Sequence, residues 1–252
     1  MNNVTFYYFS PTGGTKKCGE LFCKEISQKT VPVDLGSKHA PHDYSSSDVA
    51  VFAAPVFGGR IPRIVTDQIQ KLDGNGRYAV TMAVYGNRAY EDALLELNNT
   101  VTARGFQVIA SCACIAQHSM VPEVAKGRPD DTDIAGIRSF AGKVADKLAK
   151  RENKPVEVPG SEPYKEEMAI PATPISLPSC ISCGKCQTAC PVNAITYSES
   201  TVVTDPEKCI LCMSCTAVCP AQARILPPPL KEKLEQMLAP AKAARCENEY
   251  YL

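Results

Sequence analysis

Eight of the thirteen cysteines fall into two runs of one pattern. Cys180, Cys183, Cys186 and Cys190 lie in C-I-S-C-G-K-C-Q-T-A-C-P, and Cys209, Cys212, Cys215 and Cys219 in C-I-L-C-M-S-C-T-A-V-C-P. Three thiolates on a tight loop, each separated by two residues, can hold three irons of one cubane. The fourth lies further on, at the start of a helical turn, and points toward another. Pro191 and Pro220 then stop the chain from continuing in its previous direction. Structural zinc asks for two C-x2-C pairs split by a longer loop, not three close thiols and a displaced fourth. Disulfides suit short secreted chains, and M-N-N-V-T-F-Y-Y-F-S shows no basic region followed by a long apolar run. The pattern points to paired [4Fe-4S] clusters, with metal-bound thiols in a reducing cytosol. Such clusters are oxygen-labile, so an anaerobic or microaerobic host is expected.

A second group of chemically useful residues lies far upstream. S-P-T-G-G-T, residues 10–15, sets three hydroxyls around Gly13 and Gly14 and leads into a helix pattern. Backbone N–H groups at a helix start, with Ser10, Thr12 and Thr15 hydroxyls, make an uncharged phosphate cradle. The bland reading of the same residues is an ordinary helix cap. There is no G-K-[ST] and no G-x-G-x-x-G, so neither nucleotide hydrolysis nor dinucleotide binding is indicated. Two further loops carry an aromatic beside glycine. One holds Pro55, Val56, Phe57, Gly58 and Gly59; the other holds Tyr85, Gly86, Asn87, Arg88 and Tyr90. Flat rings there can face a planar ligand while the glycine backbone approaches its edge.

The elements that must position these loops alternate. Strand patterns fall at 4–10, 31–35, 48–55, 79–85 and 106–116, and helix patterns at 15–29, 63–72, 90–104 and 133–151. The third and fourth strands are near-continuous apolar runs, as strands buried on both faces should be. Pro32 places the second at an edge. Alternation of this kind predicts a doubly wound α/β domain with a parallel sheet, whose ligands bind at the strands' carboxyl ends. Cys18, Cys23, Cys112 and Cys114 fall on helix and strand positions and read as buried thiols.

The expected domains are a ligand-binding α/β domain at 1–154, a Pro-rich linker at 155–176, a cluster domain at 177–229, and a C-terminal helix and tail at 230–252. Leu230, Leu234, Met237 and Leu238 form a helical stripe, expected to pack on the protein itself. Cys246 has no assigned role, and His39, His42 and His118 have no metal-ligand spacing. Lys plus Arg balance Asp plus Glu at 27 each, which gives no basic excess for nucleic acid. No apolar stretch is long enough to span a membrane.

The cysteine runs resemble those of bacterial two-cluster ferredoxins. That likeness implies that Cys180, Cys183, Cys186 and Cys219 hold one cluster and Cys209, Cys212, Cys215 and Cys190 the other. S-x-T-G-x-T resembles the phosphate loop of flavodoxins, and Phe57-Gly58 and the Tyr90 loop are similar to the loops that flank their flavin. The resemblance implies a five-stranded sheet and FMN, with Tyr90 stacked on one flavin face and Gly86 and Asn87 along its pyrimidine edge. Arg88, where simple flavodoxins more often have an acidic or neutral residue, would raise the flavin potential. The whole chain thus resembles the flavodoxin–ferredoxin fusion proteins, anaerobic electron-transfer proteins. Its expected role is a cytoplasmic relay between two clusters and FMN. Partner proteins would be ferredoxins or flavin- or hydrogenase-type reductases, with a homodimer among the possible states. Two alternatives are a flavin reductase of a quinone, nitro compound or oxygen, and a redox-sensing subunit.

Overall fold

The structure, a computed structural model, describes residues 3–37, 47–168, 172–198 and 201–252; His39, His42 and Pro171 lie outside these. The N-terminal part runs β1 (Asn3–Tyr8), α1 (Gly14–Ile26), β2 (Lys29–Asp34), β3 (Val49–Pro55), α2 (Arg63–Ile69), β4 (Tyr78–Tyr85), α3 (Ala93–Thr102), β5 (Gln107–Ile115) and α4 (Asp131–Ala149). The five strands pair in parallel in the order β2-β1-β3-β4-β5. The apolar runs of β3 and β4 are buried almost throughout because helices cover both faces. On one face α1 and α4 bury Phe22, Ile26, Ile137 and Phe140; on the other α2 and α3 bury Val65, Ile69, Leu97 and Val101. Pro32 sits in β2, at the sheet edge, where the missing N–H costs no ladder bond toward a further strand. Strand order reverses between β1 and β3, which opens a crevice at their carboxyl ends.

The sheet has six strands, not five. After β6 (Ile175–Ser176), α5 (Lys185–Thr188), β7 (Ile195–Ser198), β8 (Thr201–Thr204), α6 (Ser214–Ala217), β9 (Arg224–Ile225), α7 (Pro228–Met237) and α8 (Ala239–Ala243), the tail returns as β10 (Glu249–Tyr251). It pairs antiparallel with β5, Tyr250 opposite Cys112, and closes what would be an open edge. Three residues in a polar tail are too few to show a strand period, so this strand left no sequence signal.

The cysteine-rich part consists of two matching halves. Backbone φ is positive at Ser182 and Gly184 in the first, and at Leu211 and Met213 in the second. Asn193 and Gln222 repeat this beyond each run. The N–H of Ala194 donates to Cys190 Sγ at 3.2 Å, and the N–H of Ala223 to Cys219 Sγ at 3.2 Å. Helix α7 turns Leu230 and Leu234 toward Leu211, Met213 and Leu226 of this part, and toward Val121 and Val124 of the loop after β5. Leu238 joins them, whereas Met237 of the same stripe is exposed. The C-terminal helix therefore packs between the two halves of the molecule. The Pro-rich segment also lies against the N-terminal domain: Val156 and Val158 pack on its core clusters, and the N–H groups of Ser161 and Lys165 donate to Asp92.

Candidate cofactor sites

The first site is a cavity that opens at the carboxyl ends of β1, β3, β4 and β5. Pro11, Thr12, Gly14 and Thr15 line one end, and Pro55, Val56 and Phe57 one side. Val84, Tyr85 and Gly86 continue the wall, which residues 116–119 complete. The first loop suits an anionic group. Gly13 has φ of +91°, and α1 begins directly after it, so the N–H groups of its first turn point out of the helix. A Cβ on Gly14 would lie 2.8 Å from Ala116 Cβ, so the backbone approach depends on glycine there. Ser10 is engaged differently: its Oγ accepts from the Lys16 N–H at 2.9 Å, which makes it a helix cap.

Phe57 owes its position to a tight turn. Gly58 and Gly59 have φ of +61° and +93°, and the N–H and C=O of Phe57 and Arg60 pair at 2.9 and 3.1 Å. Two successive positive φ angles are what a type I′ turn requires, and glycine meets them without a Cβ penalty. Neither glycine lines the cavity; a Cβ on Gly58 would meet Met168 and one on Gly59 would meet Glu91. The turn is held to α3 by Glu96, which pairs with Arg60 at 2.7 Å and accepts from the Ile61 N–H at 2.9 Å.

The third loop departs from expectation. Tyr90 is buried, packs on Tyr85 with ring centroids 5.4 Å apart, and does not line the cavity. Its hydroxyl bonds Glu249 at 2.8 Å and Tyr251 at 2.7 Å, so the ring anchors β10. Asn87 likewise faces the tail. Its Nδ2 donates to Ala241 O at 2.6 Å and Ala244 O at 2.8 Å, and its Oδ1 accepts from the Cys246 N–H at 3.0 Å. Buried Arg128, paired with Asp133, donates to Cys246 O at 2.7 Å. Arg88 is exposed and ion-paired with Glu91 at 3.1 Å, outside the cavity. The tail that the sequence left without a role thus takes the polar groups of this loop.

His118 lines the cavity, which Tyr90 does not. Its ring packs on Gly86, where any Cβ would overlap it. Nδ1 accepts the N–H groups of Met120 and Val121, each at 3.2 Å, so the ring proton resides on Nε2. Burial, with Arg88 nearby, pushes its pKa down to about 4 and keeps it neutral. Spacing among histidines gave no sign of this, because the contact is made by a loop folding across β4.

The second site is a pocket lined by Cys190, Cys209, Cys212 and Cys215. Three of these come from the second run and one from the first; Val192, Ile195, Ile210, Leu211 and Met213 make most of the remaining wall apolar. Among the described residues no three Cys, His, Asp or Glu side chains converge on a single ion. Four thiols around a cavity, not a point, fit a polynuclear cluster better than a lone zinc. Burial pushes the Cys212 thiol up to about 12 and raises Cys209 and Cys215. Apart from a metal these thiols stay protonated at neutral pH, so iron would displace their protons on binding. Of the other expected ligand set, Cys186 is buried, Cys180 and Cys219 half-buried and Cys183 exposed. None of the thirteen cysteines is in a disulfide, and Cys18, Cys23, Cys112 and Cys114 are buried.

The two sites share a wall. Cys212 lines the cofactor cavity together with Thr12, Thr15 and Phe57, and it also lines the four-cysteine cavity.

Residues 179–223 match the 4Fe-4S dicluster domain family. Among solved structures the chain is similar to a flavodoxin of Streptococcus pneumonia TIGR4, at 15% identity over 57% of this chain and 98% of that one, with a TM-score of 0.45. It is also similar to flavodoxin 1 of Bacillus cereus, at 15% identity over 57% and 97%, TM-score 0.44. A flavodoxin, WrbA-like protein of Agrobacterium tumefaciens shows 16% identity over 61% and 100%, TM-score 0.45. No curated protein matches the sequence. By its strand order and its matched segment, the chain joins a flavodoxin-like α/β domain to a 4Fe-4S dicluster domain.

Proposed function

We propose that this protein relays electrons within one chain, between two [4Fe-4S] clusters and an FMN held at the crevice of the N-terminal domain. The observation that carries this reading is Cys212, which belongs to the wall of both cavities. A cluster held by Cys190, Cys209, Cys212 and Cys215 would touch the wall of the flavin site, and no partner need intervene. Bound FMN would supply two-electron capacity, and each cubane single-electron exchange.

The residues of the chain bind, orient and insulate. Thr12 and Thr15 offer hydroxyls and the first turn of α1 offers N–H groups to a phosphate. Phe57 and Tyr85 offer apolar faces to a flat ring, and His118 contributes a neutral imidazole to the wall. Leu211 and Met213, packed on Val121, Val124 and Leu234, exclude water from the junction of the two sites. The shared wall favours a relay over a reductase of a small acceptor, because a cluster ligand stands where such an acceptor would dock. Among the described residues no helix is long and apolar enough to cross a membrane; the partners in this reading are redox proteins. Purification without oxygen tests the reading. About eight irons and one FMN per chain are expected; about two irons with zinc present would overturn it.

A further inference from the structure

The two halves of the dicluster domain repeat the same cysteine spacing, and at one equivalent buried position an apolar residue in the first is replaced by a cation in the second. Ile195 follows Cys190-Pro-Val-Asn-Ala, and Arg224 follows Cys219-Pro-Ala-Gln-Ala, at the equivalent place in the repeat. Each is only 3% exposed. An isoleucine in such a place needs nothing. A buried guanidinium needs a countercharge or it is costly to keep.

Arg224 forms no ion pair with a carboxylate among the described residues. Its Nη1 donates to Ser176 Oγ at 3.0 Å and its Nη2 to Thr204 Oγ1 at 2.7 Å, both neutral partners. Nη2 also reaches Cys215 Sγ at 4.0 Å, and buried Nε has no partner at all. Thr204, the strongest of its hydroxyl contacts, lines the cavity of Cys190, Cys209, Cys212 and Cys215. The anions within reach of this cation are therefore cysteine sulfurs.

We infer that Arg224 is a built-in countercharge for the cluster held by Cys190, Cys209, Cys212 and Cys215. It makes that cluster the more easily reduced of the pair, and so directs electrons toward the flavin cavity. The inference rests on the relay reading above. A cubane with four thiolate ligands is anionic and gains one further negative charge on reduction, so a nearby buried cation stabilises the reduced form more than the oxidised one. Net charge and hydrogen bonds to sulfur are established determinants of cluster potential. Arg224 has no charged counterpart in the first half, where Ile195 stands. In the directed step, one electron delivered by a one-electron donor protein leaves the cluster of Cys180, Cys183, Cys186 and Cys219. It enters the other cluster, one oxidised as the other is reduced, and no proton is required.

The test is an anaerobic reductive titration of the whole protein, following the paramagnetic signal of each cluster, in the natural chain and in Arg224→Ile, Arg224→Gln and Arg224→Lys. The natural protein should show two separate midpoints. In Arg224→Ile, which restores the symmetry of the repeat, the higher midpoint should fall at least tenfold in electron affinity, about 59 mV for one electron, toward the lower one. Arg224→Gln keeps a donor without the charge and should fall likewise, which keeps the test open if the isoleucine variant assembles poorly. Arg224→Lys should retain most of the separation. Full iron content with both midpoints unmoved in the isoleucine or glutamine variant, or a shift of the lower midpoint alone, would overturn the role of Arg224. Failure to find two four-iron signals in the natural protein would instead remove the relay itself.

Discussion

In the proposed FMN site, Thr12 and Thr15 would hold the phosphate with little chemistry of their own. Neither is charged, and both line the cavity at the start of α1. Among the described residues neither hydroxyl has another partner, which leaves both available to a ligand. Each hydrogen bond to a phosphate contributes about 0.5–1.5 kcal/mol net, and more when the acceptor is ionised. The double variant Thr12→Val with Thr15→Val should therefore bind FMN at least tenfold more weakly, while riboflavin binding and iron content hold steady. Equilibrium titration with both ligands checks this, and undiminished FMN affinity would reduce the loop to a helix cap. Ser10 accepts the Lys16 N–H and keeps its own O–H to donate, so serving the helix and serving a phosphate are compatible, and spacing alone does not separate the two roles.

At the scale of elements, the five parallel strands were legible because burial on both faces leaves a continuous apolar run. Ends were less so: the helix expected over 90–104 spans Ala93–Thr102, because Tyr90 and its neighbours serve the tail. The return of the chain as β10 was invisible for a related reason. A short edge strand held by Asn87, Tyr90 and Arg128 depends on contacts across about 150 residues of sequence, and no local period records them. The structure assigns Asn87 a measurable share of that attachment, since it bonds Ala241, Ala244 and Cys246. Asn87→Ala strands those groups at a cost of about 1–3 kcal/mol each when they stay buried. Amide hydrogen exchange at residues 246–251 should accelerate by tenfold or more, with the exchange of β1 and β3 unchanged. Protection equal to that of the natural protein would show that the tail is held by β5 alone.

For the molecule as a whole, the cysteine spacing declared the cluster domain, and no feature of the spacing declared how it meets the flavodoxin-like domain. That junction is made by Cys212, Leu211 and Met213 on one side, Phe57, Val121 and Val124 on the other, and α7 across both. Its residues are ordinary apolar side chains, with no motif of their own. A fused pair of carriers has a high effective concentration, and here Cys212 lines both cavities. The account therefore requires exchange inside a single molecule. In the anaerobic protein, a light-driven one-electron reductant would reduce the clusters in a flash. Flavin absorbance would then be followed as the electron arrives from the clusters. The predicted result is a single-exponential reduction of the flavin whose rate is unchanged over a hundredfold dilution of the protein. A rate that falls in proportion to dilution, or clusters that stay reduced beside an oxidised flavin, would contradict it.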